Sequence, residues 1–253
     1  MTLLAIDVGN TNTVFALFQE EKLTHSWRCK TDAARSIDEY AVFLNQLFEL
    51  HEIKWDYIEN TVISSVVPDT NFHLERLCEK YIGSKPLFVT AQTAQIDIAL
   101  PNPSEAGADR LANTAAVLSE YKAPAIVIDF GTATTFDVIK DNIYCGGVIA
   151  PGIKLSVQAL TDRAAKLPQI SIAQPEHAIG HDTRSAMQSG IYWGYVGMVE
   201  KILDKIMLEM NVQPYIIATG GLAELYAQNI QIDCVDEHLI LKGLLEIHKR
   251  NKQ

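Results

Sequence analysis

The chain has 253 residues, 48% of them apolar and 21% charged, with a formal net charge of −10. That is a globular composition, long enough for one large domain or two small ones. An acidic chain without a long basic run argues against nucleic acid or an anionic membrane as partner, and no apolar run reaches the roughly 20 residues of a membrane span.

The start, Met1 to Thr13, arrives at Asp7 after a short apolar run with no basic flank, so no secretory signal is expected there. Leu3 to Ile6 reads as a strand, followed by Asp7, Val8, Gly9, Asn10, Thr11, Asn12 and Thr13 as a tight turn and Val14 to Phe18 as a second strand. A third strand is expected around Leu23 to Cys29, after a solvated hairpin turn at Glu20, Glu21 and Lys22. Ser36 with Glu39 forms a capping box ahead of Ile37, Ala41, Leu44, Leu47 and Phe48 at helical spacing, which predicts a helix to about His51. Thr61 to Val67 is a buried-strand run closed by Pro68. Asn71 to Tyr81 follows as a helix that could pack through Phe72, Leu77 and Tyr81, and Leu87 to Thr90 as a short strand.

Asn102 to Arg110 leads into Leu111, Ala115 and Leu118 at helical spacing, so Asp109 and Arg110 stand in a first helical turn just after Gly107. The helix dipole favours an acid there and disfavours an arginine. Arg110 therefore pairs with a nearby acid such as Glu105, or binds the carboxylate of a small substrate while Asp109 accepts a proton from that substrate's hydroxyl.

The opening pattern then returns about half a chain later. Ala125 to Ile128 leads into Asp129, Phe130, Gly131, Thr132, Ala133, Thr134 and Thr135, followed by β-prone Phe136 to Ile139. This predicts a mixed α/β domain built twice, 1–123 and 124–253. In the second half, Asp182 to Met210 reads as a long helix, Tyr215 to Ala218 as a strand ending in Thr219, Gly220 and Gly221, and Glu237 to Arg250 as a terminal helix. Tyr192, Trp193 and Tyr195 lie among glycines and fit either a subunit interface or a core.

An acid at a strand end followed by Gly and hydroxyl residues suits metal–phosphate chemistry: the turn amides meet phosphate oxygens and the carboxylate orients a hydrated cation. Each such turn alone is equally an ordinary polar hairpin; two at related positions favour a ligand site. Neither a GxxxxGK[ST] loop nor a GxGxxG after a strand is present, and the seven histidines show no HxH or HExxH spacing. Cys29, Cys78, Cys145 and Cys234 form no CxxC, which fits a reducing cytoplasm.

The pattern resembles the acetate kinase, sugar kinase, Hsp70 and actin superfamily, whose duplicated ribonuclease-H-like halves hold ATP in a cleft. More specifically, Asp7 to Thr13, GADR at Gly107 to Arg110, IDFGTATT at Ile128 to Thr135 and GGVIAPG at Gly146 to Gly152 together resemble type III pantothenate kinase. AAKLP at Ala164 to Pro168, IGHDT at Ile179 to Thr183 and TGG at Thr219 to Gly221 extend the likeness along the whole chain.

The resemblance implies transfer of the ATP γ-phosphoryl group to the primary hydroxyl of pantothenate, the first step of coenzyme A synthesis. It implies a first phosphate loop at Asp7, Val8, Gly9, Asn10, Thr11, Asn12, Thr13 and Val14, with Asp7 organising Mg²⁺ through water. It makes Asp129 the ligand of a monovalent cation, K⁺ or NH₄⁺, and Thr132 a second phosphate contact; Gly220 and Gly221 lie where the family places adenosine. Asp109 matches the general base and Gly107, Ala108 and Arg110 the pantothenate turn. Thr183 matches a substrate contact made across a homodimer interface. Many family members carry a tyrosine where this chain has Leu100, which covers the apolar part of pantothenate but offers no hydroxyl. The rival expectation is a non-catalytic accessory or regulatory member of the same family, against which the retained Asp109 and Arg110 speak.

Overall fold

The computed structural model describes residues 1–163 and 167–252; residues 164–166, part of the AAKLP motif, lie outside the described residues. The chain divides into two compact units, Met1–Tyr121 with the residues from Leu239 onward, and Lys122–His238.

The first unit contains β1 (Thr2–Val8), β2 (Asn12–Gln19), β3 (Lys22–Lys30), α1 (Ile37–Leu50), β4 (Asn60–Ser65), α2 (Pro68–Leu77), β5 (Leu87–Phe88), α3 (Ala91–Ala94), β6 (Asp97–Ile98) and α4 (Ala108–Glu120). Its sheet runs β3-β2-β1-β4-β5. The first three strands form an antiparallel meander, and β4 and β5 are added in parallel. Both faces of β1 are covered, which is why Leu3 to Ile6 is a continuous apolar run. Leu4, Ile6 and Val8 face a core completed by Tyr40, Leu44 and Phe48 of α1 and Leu74 and Leu77 of α2.

The Glu20–Glu21 turn between β2 and β3 has both residues at positive φ, as the tightest hairpins require. The Ser36–Glu39 capping box forms as the sequence predicts, and α1 ends at Leu50. α2 begins three residues before its expected start, because Pro68 occupies the first helical turn, where its missing N–H costs nothing, rather than closing the strand. Its packing residues are Leu74 and Leu77, while Phe72 is exposed.

The second unit contains β7 (Ala125–Phe130), β8 (Ala133–Lys140), β9 (Ile143–Pro151), α5 (Ile153–Arg163), α6 (Thr183–Met210), β10 (Tyr215–Thr219), α7 (Ala223–Tyr226) and β11 (Cys234–Val235). Again an antiparallel meander, β7-β8-β9, receives two parallel strands, β10 beside β7 and β11 beside β10. The predicted duplication is therefore visible in topology: β7 repeats β1 and β10 repeats β4. This is the ribonuclease-H-like plan. Tyr192 and Tyr195 belong to the core of this unit with Phe130 and Tyr226, whereas Trp193 is partly exposed.

The terminal helix α8 (Leu239–Arg250) corrects one expectation. Chain order puts it in the second half, but it lies with the first unit, against α4, β1 and β4. The reason is steric: a Cβ on Gly243 would fall 1.8 Å from the Ala112 carbonyl oxygen, so the two helices meet backbone to backbone at that glycine. Lys242 and Glu120 close the contact with an ion pair of 2.8 Å.

Candidate active site

In the first unit the Asp7 loop joins β1 to β2. Asp7 is the penultimate residue of β1, half-buried, paired with Val14 on one side and Ser64 on the other. The turn closes through the Gly9 N–H, which donates to the Asn12 carbonyl at 3.0 Å. Val8 and Thr13 are buried, Val14 is half-buried, and Asn10, Thr11 and Asn12 are exposed. Only the turn itself thus presents atoms outward; Val8 and Thr13 can serve a ligand through backbone and positioning alone.

Beside this strand end is a pocket of about 480 Å³, within the size range of small-molecule sites. Its wall is made by Ser65 at the end of β4 and Val66 after it, by Thr90 and Gln92 at the start of α3, and by the turn from Ser104 to Ala108. Val66 donates its N–H to the Val8 carbonyl at 3.0 Å, tying this wall to the strand that carries Asp7. The sequence marked Gly107 and Ala108; it gave no hint of Ser65 or Gln92, which reach the pocket only through the parallel pairing of β4 with β1 and β5. Thr90 had a local signal, since Thr90 and Thr93 cap α3 reciprocally. Leu100 is half-buried and stands outside the pocket's lining residues.

The Asn102–Glu105 turn is held by its own side chains. Asn102 accepts from the Ser104 hydroxyl at 2.7 Å and donates to Glu105 at 3.0 Å. α4 then starts at a Gly107 N-cap that supplies no side-chain cap, leaving the amides of Ala108 and Asp109 able to meet an anion. Asp109 and Arg110 are half-buried in this turn. One carboxylate oxygen of Asp109, Oδ1, accepts the Arg110 N–H at 2.8 Å. That oxygen leans over Gly107, where a Cβ would stand 2.5 Å from it. The glycine makes room for the acid.

The second unit repeats the arrangement. Asp129 is the penultimate residue of β7, in register with Thr135 of β8 and Thr219 of β10. Gly220 follows at φ +90, and a Cβ there would lie 2.6 Å from Asp129 Oδ1 and 2.8 Å from the Phe130 backbone. The TGG turn and the Asp129 turn are therefore packed together at adjacent parallel strand ends, and only glycine fits both the space and the dihedral. Thr132 is half-buried and Gly221 exposed. Tyr195 shares a very short hydrogen bond with Thr134, and burial, with a contribution from the Asp129 charge, pushes its hydroxyl up to about 12. Thr183 is the first residue of α6 and exposed; Asp182 caps that helix by accepting the Ser185 N–H at 3.0 Å, which holds its carboxyl below the usual range. Among the described residues no group of three or more His, Cys, Asp or Glu side chains is placed to hold a metal ion.

The sequence profile of type III pantothenate kinase matches residues 3–205. The chain belongs to the type III pantothenate kinase family. Relatives carrying that name include one from Paramagnetospirillum magneticum, 48% identical and covering 98% of this chain and 97% of its own. Another, from Geobacter sulfurreducens, is 45% identical and covers 99% of this chain and 100% of its own.

Solved structures share the fold at lower identity. A Campylobacter jejuni protein described as a candidate Baf family transcriptional activator has a TM-score of 0.61 at 20% identity, covering 98% of each chain. The activator of 2-hydroxyisocaproyl-CoA dehydratase from Clostridium difficile, solved with ADPNP bound, has a TM-score of 0.59 at 10% identity, covering 100% of this chain and 96% of its own. These two establish the actin-like ATPase fold for this pantothenate kinase family member and nothing narrower. The GADR turn, the Asp7 loop and the Asp129 turn of the family pattern all stand at strand or helix ends.

Proposed function

We propose that this chain transfers the γ-phosphoryl group of ATP to the primary hydroxyl of pantothenate, giving 4'-phosphopantothenate and ADP at the start of coenzyme A synthesis in the cytoplasm. Full-length identity of 45–48% to type III pantothenate kinases supports the reaction. The observation that carries the assignment of roles is the α4 N-terminus, where Gly107 and Ala108 line the pocket and Asp109 and Arg110 follow in the first helical turn.

In this reading the pantothenate carboxylate is held by Arg110 and the amides of Ala108 and Asp109, with Gly107 and Ala108 forming the floor. Asp109 takes the hydroxyl proton as the alcohol oxygen bonds to the γ-phosphorus and the bond to the ADP oxygen breaks. Amides of the Asp7–Val14 loop and the Thr132 hydroxyl bind phosphate oxygens, and Gly220 and Gly221 bound the adenosine. The transition state is loose, so positioning and charge neutralisation outweigh the base.

Asp7 beside Ser64, and Asp129 between Thr135 and Thr219, offer carboxylate and hydroxyl oxygens, which suit hard cations better than zinc. Asp7 would hold Mg²⁺ through water, and Asp129 would hold K⁺ or NH₄⁺. Bound there, the cations supply neutralisation of phosphate charge. Thr183 contributes to the substrate site of the second subunit of a homodimer.

The test is ADP release with Mg-ATP in potassium, ammonium and sodium buffers, with and without pantothenate, the product being weighed by mass spectrometry. Pantothenate-dependent ADP and a phosphopantothenate mass are expected, with low rates in sodium. Equal rates in all three salts would remove the cation from Asp129, and ADP release indifferent to pantothenate would refute the substrate.

A further inference from the structure

Thr31 lies just beyond β3, in no motif, yet it makes three hydrogen bonds to the loop that follows Asp7. Its N–H donates to the Thr11 carbonyl at 3.0 Å. Its hydroxyl donates to the Gly9 carbonyl at 2.7 Å. The same hydroxyl lies 2.9 Å from that of Thr13. A hydroxyl has one proton, and Thr31 gives its proton to Gly9; Thr13 must therefore be the donor in the pair, which fixes a relay from Thr13 through Thr31 to Gly9.

The relay has a geometric consequence. Peptide groups are planar and trans, so the N–H of a unit points opposite to its carbonyl. Binding the Gly9 carbonyl turns the Asn10 N–H away from Thr31, and binding the Thr11 carbonyl does the same for the Asn12 N–H. Two peptide planes of an exposed turn are thereby set by one residue on a neighbouring strand. Gly9 lacks a side chain that would restrict its own rotation, which makes an external anchor matter.

We propose that Thr31 is a positioning residue for nucleotide binding: it orients the amides of the Asp7 loop toward the phosphates of ATP without touching them. This rests on the phosphate-loop role given above. Thr31→Val keeps the shape and the N–H but removes the hydroxyl, leaving the Gly9 carbonyl without its partner. Thr31→Ser restores the hydroxyl.

The experiment compares wild type, T31V and T31S by calorimetric titration with Mg-ATP, by the separate KM values for ATP and pantothenate, and by thermal unfolding. For T31V the Kd and KM for ATP are expected to rise about tenfold, the scale of one lost hydrogen bond to a part-buried acceptor, with KM for pantothenate within about twofold of wild type. T31S should return ATP affinity to near the wild-type value. Unchanged ATP affinity in T31V would overturn the proposal. A loss of both substrates' affinities in parallel, or no rescue by serine, would reduce Thr31 to a general structural role and overturn it equally. If wild type binds Mg-ATP but does not phosphorylate pantothenate, the acceptor assignment fails while the titration still decides the role of Thr31.

Discussion

The Asp109 carboxylate has two oxygens with different surroundings. Oδ1 is occupied by the Arg110 N–H, which fixes the rotamer of the side chain and leaves Oδ2 as the proton acceptor of the proposed reaction. Gly107 preserves that pose, because any β-carbon there collides with Oδ1. Two substitutions separate the chemistry from the geometry. Asp109→Asn removes the proton acceptor and is expected to lower kcat by about 10²- to 10⁴-fold with the Kd for ATP nearly unchanged. Gly107→Ala keeps the carboxylate but displaces it, and since a small misplacement of a reacting group costs up to about 100-fold, kcat should fall by about that much. Steady-state kinetics with calorimetric ATP binding reads both. Turnover in D109N equal to wild type would take Asp109 out of the proton transfer.

At the scale of elements, the junction of α4 with α8 decides how the active-site helix is supported. Gly243 has opposing effects under substitution. Alanine favours a helix over glycine by about 1 kcal/mol, but its Cβ would stand 1.8 Å from the Ala112 carbonyl oxygen, and that oxygen is backbone and cannot swing aside. Overpacking of this kind costs about 1–3 kcal/mol, so the clash wins and Gly243→Ala should lower Tm by a few degrees in a calorimetric scan. A raised Tm would show that α8 shifts freely on α4. This junction also marks where the sequence stops being legible. Strands β1 and β7, the Ser36 cap and the first turn of α4 were all readable, because each is written in local periodicity or capping residues. The partner of α8 was not, since an amphipathic stripe announces burial without naming the surface that buries it. The role of Thr31 was invisible for the same reason: its bonds join residues about 20 positions apart, as in the Thr31 to Gly9 contact. Pro68 carried two local meanings, strand end and helix start, and packing of Leu74 and Leu77 against the sheet selected the second.

For the molecule as a whole, duplication has produced two sheets of one topology in which the same strand position carries an aspartate, Asp7 in β1 and Asp129 in β7. The two copies have then diverged. In the first, the neighbouring parallel strand ends in Ser65, which lines the α4 pocket; in the second, it ends in Thr219, and Gly220 after it closes against Asp129 itself. In the proposed reaction the first unit supplies the substrate turn and one phosphate loop, and the second supplies the other phosphate contact and the adenosine turn. The proposed sharing of the substrate site between subunits extends that division to a homodimer, with Asp109 from one chain and Thr183, exposed at the start of α6, from the next. Complementation tests it. D109N and Thr183→Ala homodimers should each turn over slowly. When the two are dissociated, mixed and reassociated, half of the dimers pair one chain of each kind, and in these one site carries both changes and the other neither, so closed two-fold symmetry predicts recovery to about one quarter of wild-type turnover. Activity no greater than the mean of the two parent enzymes would place Asp109 and Thr183 in the same subunit's site, or remove Thr183 from it, and would leave the dimer without a catalytic reason.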